Sequence, residues 1–156
     1  MLDNNLLNSL KAILAQDADR TDRAAMITEA IRDSGSYRWV GIYDVDPQRG
    51  VVSNIAWCGP GAPAYPIFPV TSGLTSRAVS GKKTVNVGDL ANDPSYLTAL
   101  DTTRSEIIVP VLDQTGDRVV GTIDVESERP NAFDSKAQAL LEECARLLAD
   151  FWARRD

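Results

Sequence analysis

The chain has 156 residues, 44% hydrophobic and 24% charged, which suits one globular domain and excludes a disordered chain. A net charge of −6 argues against nucleic acid and anionic lipid as partners, and the absence of histidine excludes a Ser-His-Asp triad, a Cys-His pair and a His-bearing zinc site. No apolar run approaches the roughly 20 residues that cross a bilayer, and the opening MLDNNLLNSLK lacks the basic-then-apolar order of a secretion signal, so no membrane partner and a cytoplasmic location are expected.

Leu2, Leu6, Leu10, Ile13 and Leu14 recur at helical spacing and predict a first helix. Asp19 or Thr21 can cap a second, in which Ala24, Ile27, Ala30 and Ile31 continue the pattern until Ser34-Gly35. The aromatic and β-branched runs 37–46 and 51–57, joined by Pro47-Gln48-Arg49-Gly50, predict a hairpin. Pro60, Pro63, Pro66 and Pro69 predict an irregular crossing segment. A short helix from Gly73 to Val79 closed by Gly81, a strand at 83–87 and another short helix near Pro94 to Leu100 follow. The runs 105–113 and 118–127 flank Gln114-Thr115-Gly116-Asp117 as a second hairpin. A helix from about Ser135 to Arg155 closes the chain, with Asp134 as its N-cap and Phe133 in the core.

This order predicts an α+β fold in which a central, mostly antiparallel sheet carries the N- and C-terminal helices on one face, with residues 1–156 as a single domain. In the last helix Ala137, Leu140, Leu141, Cys144, Leu147, Leu148 and Phe151 lie near heptad spacing. With the first helix they offer either a stripe for the domain's own core or the seam of a homodimer.

The runs WVGIYDV (39–45), FPVTSGLTSRAVSGKKTVNVGDL (68–90), RSEIIVPV (104–111) and VVGTIDVES (119–127), with NAFD (131–134) before the last helix, resemble the GAF domain. The resemblance runs from about Thr21 to the last helix and leaves 1–20 as an N-terminal helix. Within that family the chain is most similar to the stand-alone free methionine-(R)-sulfoxide reductases, which share the spacing of Trp39 and Tyr43 and an R-S-E-I hairpin, and have an L-D-I-D-S strand where this chain has I-D-V-E-S (123–127). The resemblance implies a ligand pocket over one sheet face lined by Trp39, Tyr43, Glu106, Asp124 and Glu126, the last standing where the family has aspartate. In that family the aromatic pair and the carboxylates hold the sulfoxide and amino group of a free amino acid, and cysteines carry the chemistry. The corresponding positions here are Tyr65, Thr75 and Ala99, or Leu100 if a one-residue gap is allowed, so the resemblance implies binding without catalysis.

The residues themselves make a parallel case. Asp124 and Glu126 are two apart in a strand and share a face, where they meet either water or a ligand. Glu106 joins them in one register: a three-residue loop Gln114-Thr115-Gly116, with Gly116 left-handed, would pair Asp113 with Asp117 and Glu106 with Asp124. That is the expected register. Gly41 between Trp39 and Tyr43 predicts a slot on the sheet surface for a cation or a flat group.

Cys58, in Trp57-Cys58-Gly59-Pro60, echoes the thioredoxin redox sequence without its second cysteine, and Cys144 reads as an inert core residue. Gly73-Leu74-Thr75-Ser76 reads first as a plain helix cap and second as a set of amides for an anion. Asn131, Phe133 and Asp134 echo cyclic-nucleotide-binding GAF domains, but the distinguishing lysine is missing.

The expected function is a sensor or regulatory module for a small, amine-bearing metabolite, with no catalytic residue, no metal and no cofactor. The alternatives are a reductase-like enzyme using Cys58 and a dimerisation or interaction module in signalling.

Overall fold

The computed structural model describes residues 4–92 and 98–153. Helix α1 (Asn4–Leu14) buries Leu6, Leu10 and Ile13, the face predicted from their spacing. Helix α2 (Arg20–Gly35) begins at Asp19, whose side chain accepts the Asp22 N–H at 2.8 Å and so satisfies one of the amides a helix start leaves open. It ends at Ser36 in the left-handed conformation. Strands β1 (Trp39–Asp46) and β2 (Val51–Cys58) form the first hairpin, its turn held by Asp46 Oδ1, which accepts the Gln48 and Arg49 amides.

The chain then adds β3 (Ile67–Pro69), helix α3 (Gly73–Gly81), β4 (Val85–Val87) and a 3-10 turn at Leu90–Asn92. It continues with β5 (Ser105–Leu112), β6 (Val119–Ser127), α4 (Ser135–Leu147) and α5 (Ala149–Ala153). β3 was not expected, because Pro66 just before it and Pro69 at its end mask a three-residue edge strand. The helix expected near Pro94 to Leu100 falls mostly outside the described residues. The six strands form one antiparallel sheet in the order β3-β2-β1-β6-β5-β4, the α+β architecture expected.

One face of this sheet carries the helices. Val40, Ile42, Ile107, Val109, Val111, Ile123 and Val125 pack against buried residues of α1, α2, α4 and α5. The stripes of both terminal helices are used largely against this core, with Leu7, Leu14, Leu140 and Leu147 half-buried at its margin. The last helix is broken at Leu148 rather than continuous to Arg155. The break turns both Phe151 and Trp152 inward. The Trp152 indole lies against Gly121, where any side chain would collide with it, and Trp152 Nε1 donates to Tyr43 O at 3.0 Å.

The register of the second hairpin corrects the expected one. Asp113 Oδ1 gathers the Thr115 and Asp117 amides and the Thr115 hydroxyl, and Asp113 N donates to Arg118 O at 2.8 Å, so the loop has four residues with Gly116 at φ +78°. Such a loop alone would have sent Glu106 to the helix face. Val111 faces Gly121, however, while Leu112 faces Val119, which leaves Val120 as an extra, bulged residue. The bulge returns Glu106 to the face of the other two acids, opposite Glu126 rather than opposite Asp124.

Candidate functional site

The second face of the sheet presents Trp39, Gly41 and Tyr43 of β1 opposite Glu126, Asp124 and Thr122 of β6, and Glu106 and Ile108 of β5 opposite Glu126 and Asp124. Directly paired residues share a side, so strand alternation together with the Val120 bulge gathers three acids and a hydroxyl on one surface. That surface is covered. Leu74 and Ala78 of α3 pack on Ile108, and the Phe68 ring meets Tyr43 edge-on at 5.9 Å. The segments 59–66 and 98–103 close over the rest, Ala99 packing with Trp39 and Tyr43.

All three acids are inside: Glu106 is 1% exposed, Asp124 7% and Glu126 0%. Glu126 is well supplied with donors, accepting from Ala99 N at 2.8 Å, Leu100 N at 3.3 Å and Thr103 Oγ1 at 2.6 Å. Glu106 and Asp124 are not. Among the described residues, no amide, amine or hydroxyl reaches either Glu106 oxygen or Asp124 Oδ1, and Thr122 Oγ1, 1% exposed, also lacks a partner. No ion pair to any of the three acids occurs among the described residues.

Glu106 meets Asp124 and Glu126 as carboxyl against carboxyl, an arrangement that holds together when protons are retained between them. Burial pushes the Asp124 carboxyl up to about 8, opposed by its hydrogen bond with Glu106 and reinforced by the charge of Glu126. Burial and the charge of Asp124 raise Glu106 well above the carboxylate range. Burial raises Glu126 too, against the lowering effect of its hydrogen bonds, the Ala99 amide foremost. Tyr43 stays a neutral phenol, its acidity suppressed by burial and by the three carboxyls beside it. Each acid offers one oxygen within 4.8 Å of the other two, a hard, all-oxygen set suited to an ammonium group or a hard cation.

The five residues singled out in the sequence therefore share one surface, but the aromatic slot expected at Gly41 is filled. The Trp39 ring folds over Gly41 and under Gly59, and its Nε1 donates to Gly61 O at 3.0 Å. Sequence reasoning missed Thr122 and Thr103. Thr122 could have been found from the strand alternation that revealed Asp124, whereas Thr103 reaches Glu126 only through the path of the covering segment.

Neither thiol lies on this surface. Cys58 pairs with Val40 and points to the helix face, where Arg32 Nη1 approaches it at 4.0 Å, and Cys144 is buried in the helix core. At the start of α3, Ser72 makes no side-chain cap bond and Ser76 Oγ turns back to Gly73 O, while Thr75 is buried. Asp134 caps α4 by accepting Ala137 N at 2.8 Å and Phe133 is core, both as expected. A groove of about 800 Å³ runs elsewhere, between Lys82–Thr84, the end of β5 and α4. Its main polar groups are paired with one another, Thr84 with Glu142 and Gln114 with Asp150, so it has less unsatisfied chemistry than the acid cluster.

Comparison with known proteins gives the family and the fold. GAF domain-containing protein A of Dictyostelium discoideum is 27% identical over 149 residues, 92% of this chain and 88% of the relative. The free methionine-R-sulfoxide reductase of Saccharomyces cerevisiae is 29% identical over 112 residues, 70% of this chain and 60% of that protein's length. Among solved structures, the free methionine-R-sulfoxide reductase of Neisseria meningitidis in complex with its substrate superposes with a TM-score of 0.83 at 27% identity, covering 95% of this chain and 86% of that one. The type II free methionine-R-sulfoxide reductase of Thermoplasma acidophilum gives 0.77 at 29% identity, covering 86% and 95%. The family model of the GAF domain matches residues 17–153, and the chain belongs to the GAF domain family.

Proposed function

We propose that this GAF domain is a non-catalytic binding module for a small, amine-bearing metabolite, held over the Glu106, Asp124 and Glu126 surface. The observation that carries this reading is the set of buried carboxyl oxygens that, among the described residues, have no partner but neighbouring carboxyls and no ion pair to a cation. Such groups are costly to bury alone. An ammonium group would supply both the missing donors and the missing charge, displacing the protons that the acids otherwise retain. A sensor or regulator that hands its bound state to another protein follows from binding without chemistry.

Isothermal titration with free amino acids, methionine-R-sulfoxide and simple primary amines tests the proposal. Heat from at least one of them is expected, and Asp124→Asn should abolish it. No heat from any, or the same heat in Asp124→Asn, would contradict it.

The similarity to methionine-R-sulfoxide reductases favours a second reading, an enzyme of that type. Sulfoxide reduction needs a thiolate at the substrate sulfur, and the two thiols here lie across the sheet from the acids. Turnover of methionine-R-sulfoxide that is lost in Cys58→Ala would overturn the binding-only reading. A homodimer through the terminal helices would use Leu7, Leu14, Leu140 and Leu147, the half-buried margin of the helix face.

A further inference from the structure

The covered face divides the residues around the acids into two kinds. Trp39 and Glu126 spend their polar atoms on the segments lying over the sheet: Trp39 Nε1 on Gly61 O, and the two Glu126 oxygens on Ala99 N, Leu100 N and Thr103 Oγ1. One more bond, Ala64 N to Ala99 O at 3.1 Å, stitches segment 59–66 to segment 98–103. Beneath this stitched cover, among the described residues, both Glu106 oxygens and Asp124 Oδ1 have no partner but neighbouring carboxyls and Thr122 Oγ1 has none, on three residues each more than nine-tenths buried. Thr122 carries weight because it is not an acid: a hydroxyl beside Tyr43 could have been a valine at no loss to packing, and its bare oxygen sits two residues from Asp124 on the same face.

We infer that Glu126 and Trp39 are positioning residues that hold the two segments closed over the ligand, and that Thr122 is a further ligand contact beside the Glu106 and Asp124 already proposed. The contact set rests on the binding function proposed above; the latch does not. Glu126 is the stronger half of the latch, because its bonds are charge-assisted and reach three separate donors. Opening the cover for a ligand to enter or leave must break them together.

Hydrogen exchange on the ligand-free protein tests the latch. Thr103→Val, which removes one donor to Glu126 and touches none of the contact set, should speed exchange of the Ala99 and Leu100 amides by about tenfold or more while leaving Ile107 and Ile123 unchanged. Thr122→Val and Asp124→Asn should leave the Ala99 and Leu100 rates within about twofold. With methionine-R-sulfoxide as probe, Thr103→Val should raise association and dissociation rates together, keeping Kd within about threefold, whereas Thr122→Val should weaken Kd by about tenfold. Unchanged Ala99 and Leu100 exchange in Thr103→Val would overturn the latch, and wild-type affinity in Thr122→Val would overturn the contact set. If the probe fails to bind, that failure falls on the ligand reading alone, since exchange is measured without it.

Discussion

The two faces of the sheet bury their side chains to a similar depth and for opposite ends. On the helix face, Ile42, Ile107, Ile123, Val125, Leu141 and Trp152 form an apolar core in which buried polar atoms such as Trp152 Nε1, Thr28 Oγ1 and Ser105 Oγ are bonded, to Tyr43 O, Ala25 O and Arg129 O. On the covered face, the same strands bury Glu106, Thr122, Asp124 and Glu126 beside one another, with several of their oxygens bare. Stability is drawn from the first face. The second departs from good packing in the way expected of a place kept for a ligand.

Substitutions can sharpen that contrast. The largest effect is expected on the helix face: Trp152→Ala removes the indole from its seat on Gly121 together with its bond to Tyr43 O, and should cost about 3–5 kcal/mol by denaturant unfolding, with or without ligand. A far smaller loss is expected at the edge of the same face, where Asp134→Ala removes the α4 cap, and chemical denaturation should show about 1 kcal/mol. Neither change should alter ligand affinity, because neither residue lies on the covered face. A Trp152→Ala protein that kept full stability but lost binding would break the division between the faces.

Much of this was legible in the sequence where the determinants are local. Asp19 and Asp134 announced two helix starts, Gln114 to Asp117 a turn, and the alternation of Asp124 and Glu126 a polar face on an otherwise apolar strand. What was not legible depends on distant partners. The Val120 bulge decides on which side of the sheet Glu106 lies, and its one mark in VVGTIDVES is Gly121, which signals a bulge or a close approach without telling which; the Trp152 ring that lies against it comes from an element far away in sequence. Trp39 read as a pocket wall because its ring direction cannot be known from spacing, and the structure lays it over Gly41 as an anchor for segment 59–66.

The pH dependence of unliganded stability most directly tests whether uncompensated acids are buried together. A carboxyl held above its ordinary range keeps, in the folded state, a proton that the unfolded chain releases. Its contribution is therefore complete below the unfolded value and is lost as pH rises through the folded one, about 8 for Asp124. Thermal unfolding from about pH 5 to about pH 9 should show Tm of the wild type falling across that window, and Asp124→Asn falling less and lying above it at the alkaline end. Parallel profiles, or a wild-type Tm that rises with pH while that of Asp124→Asn does not, would contradict the account.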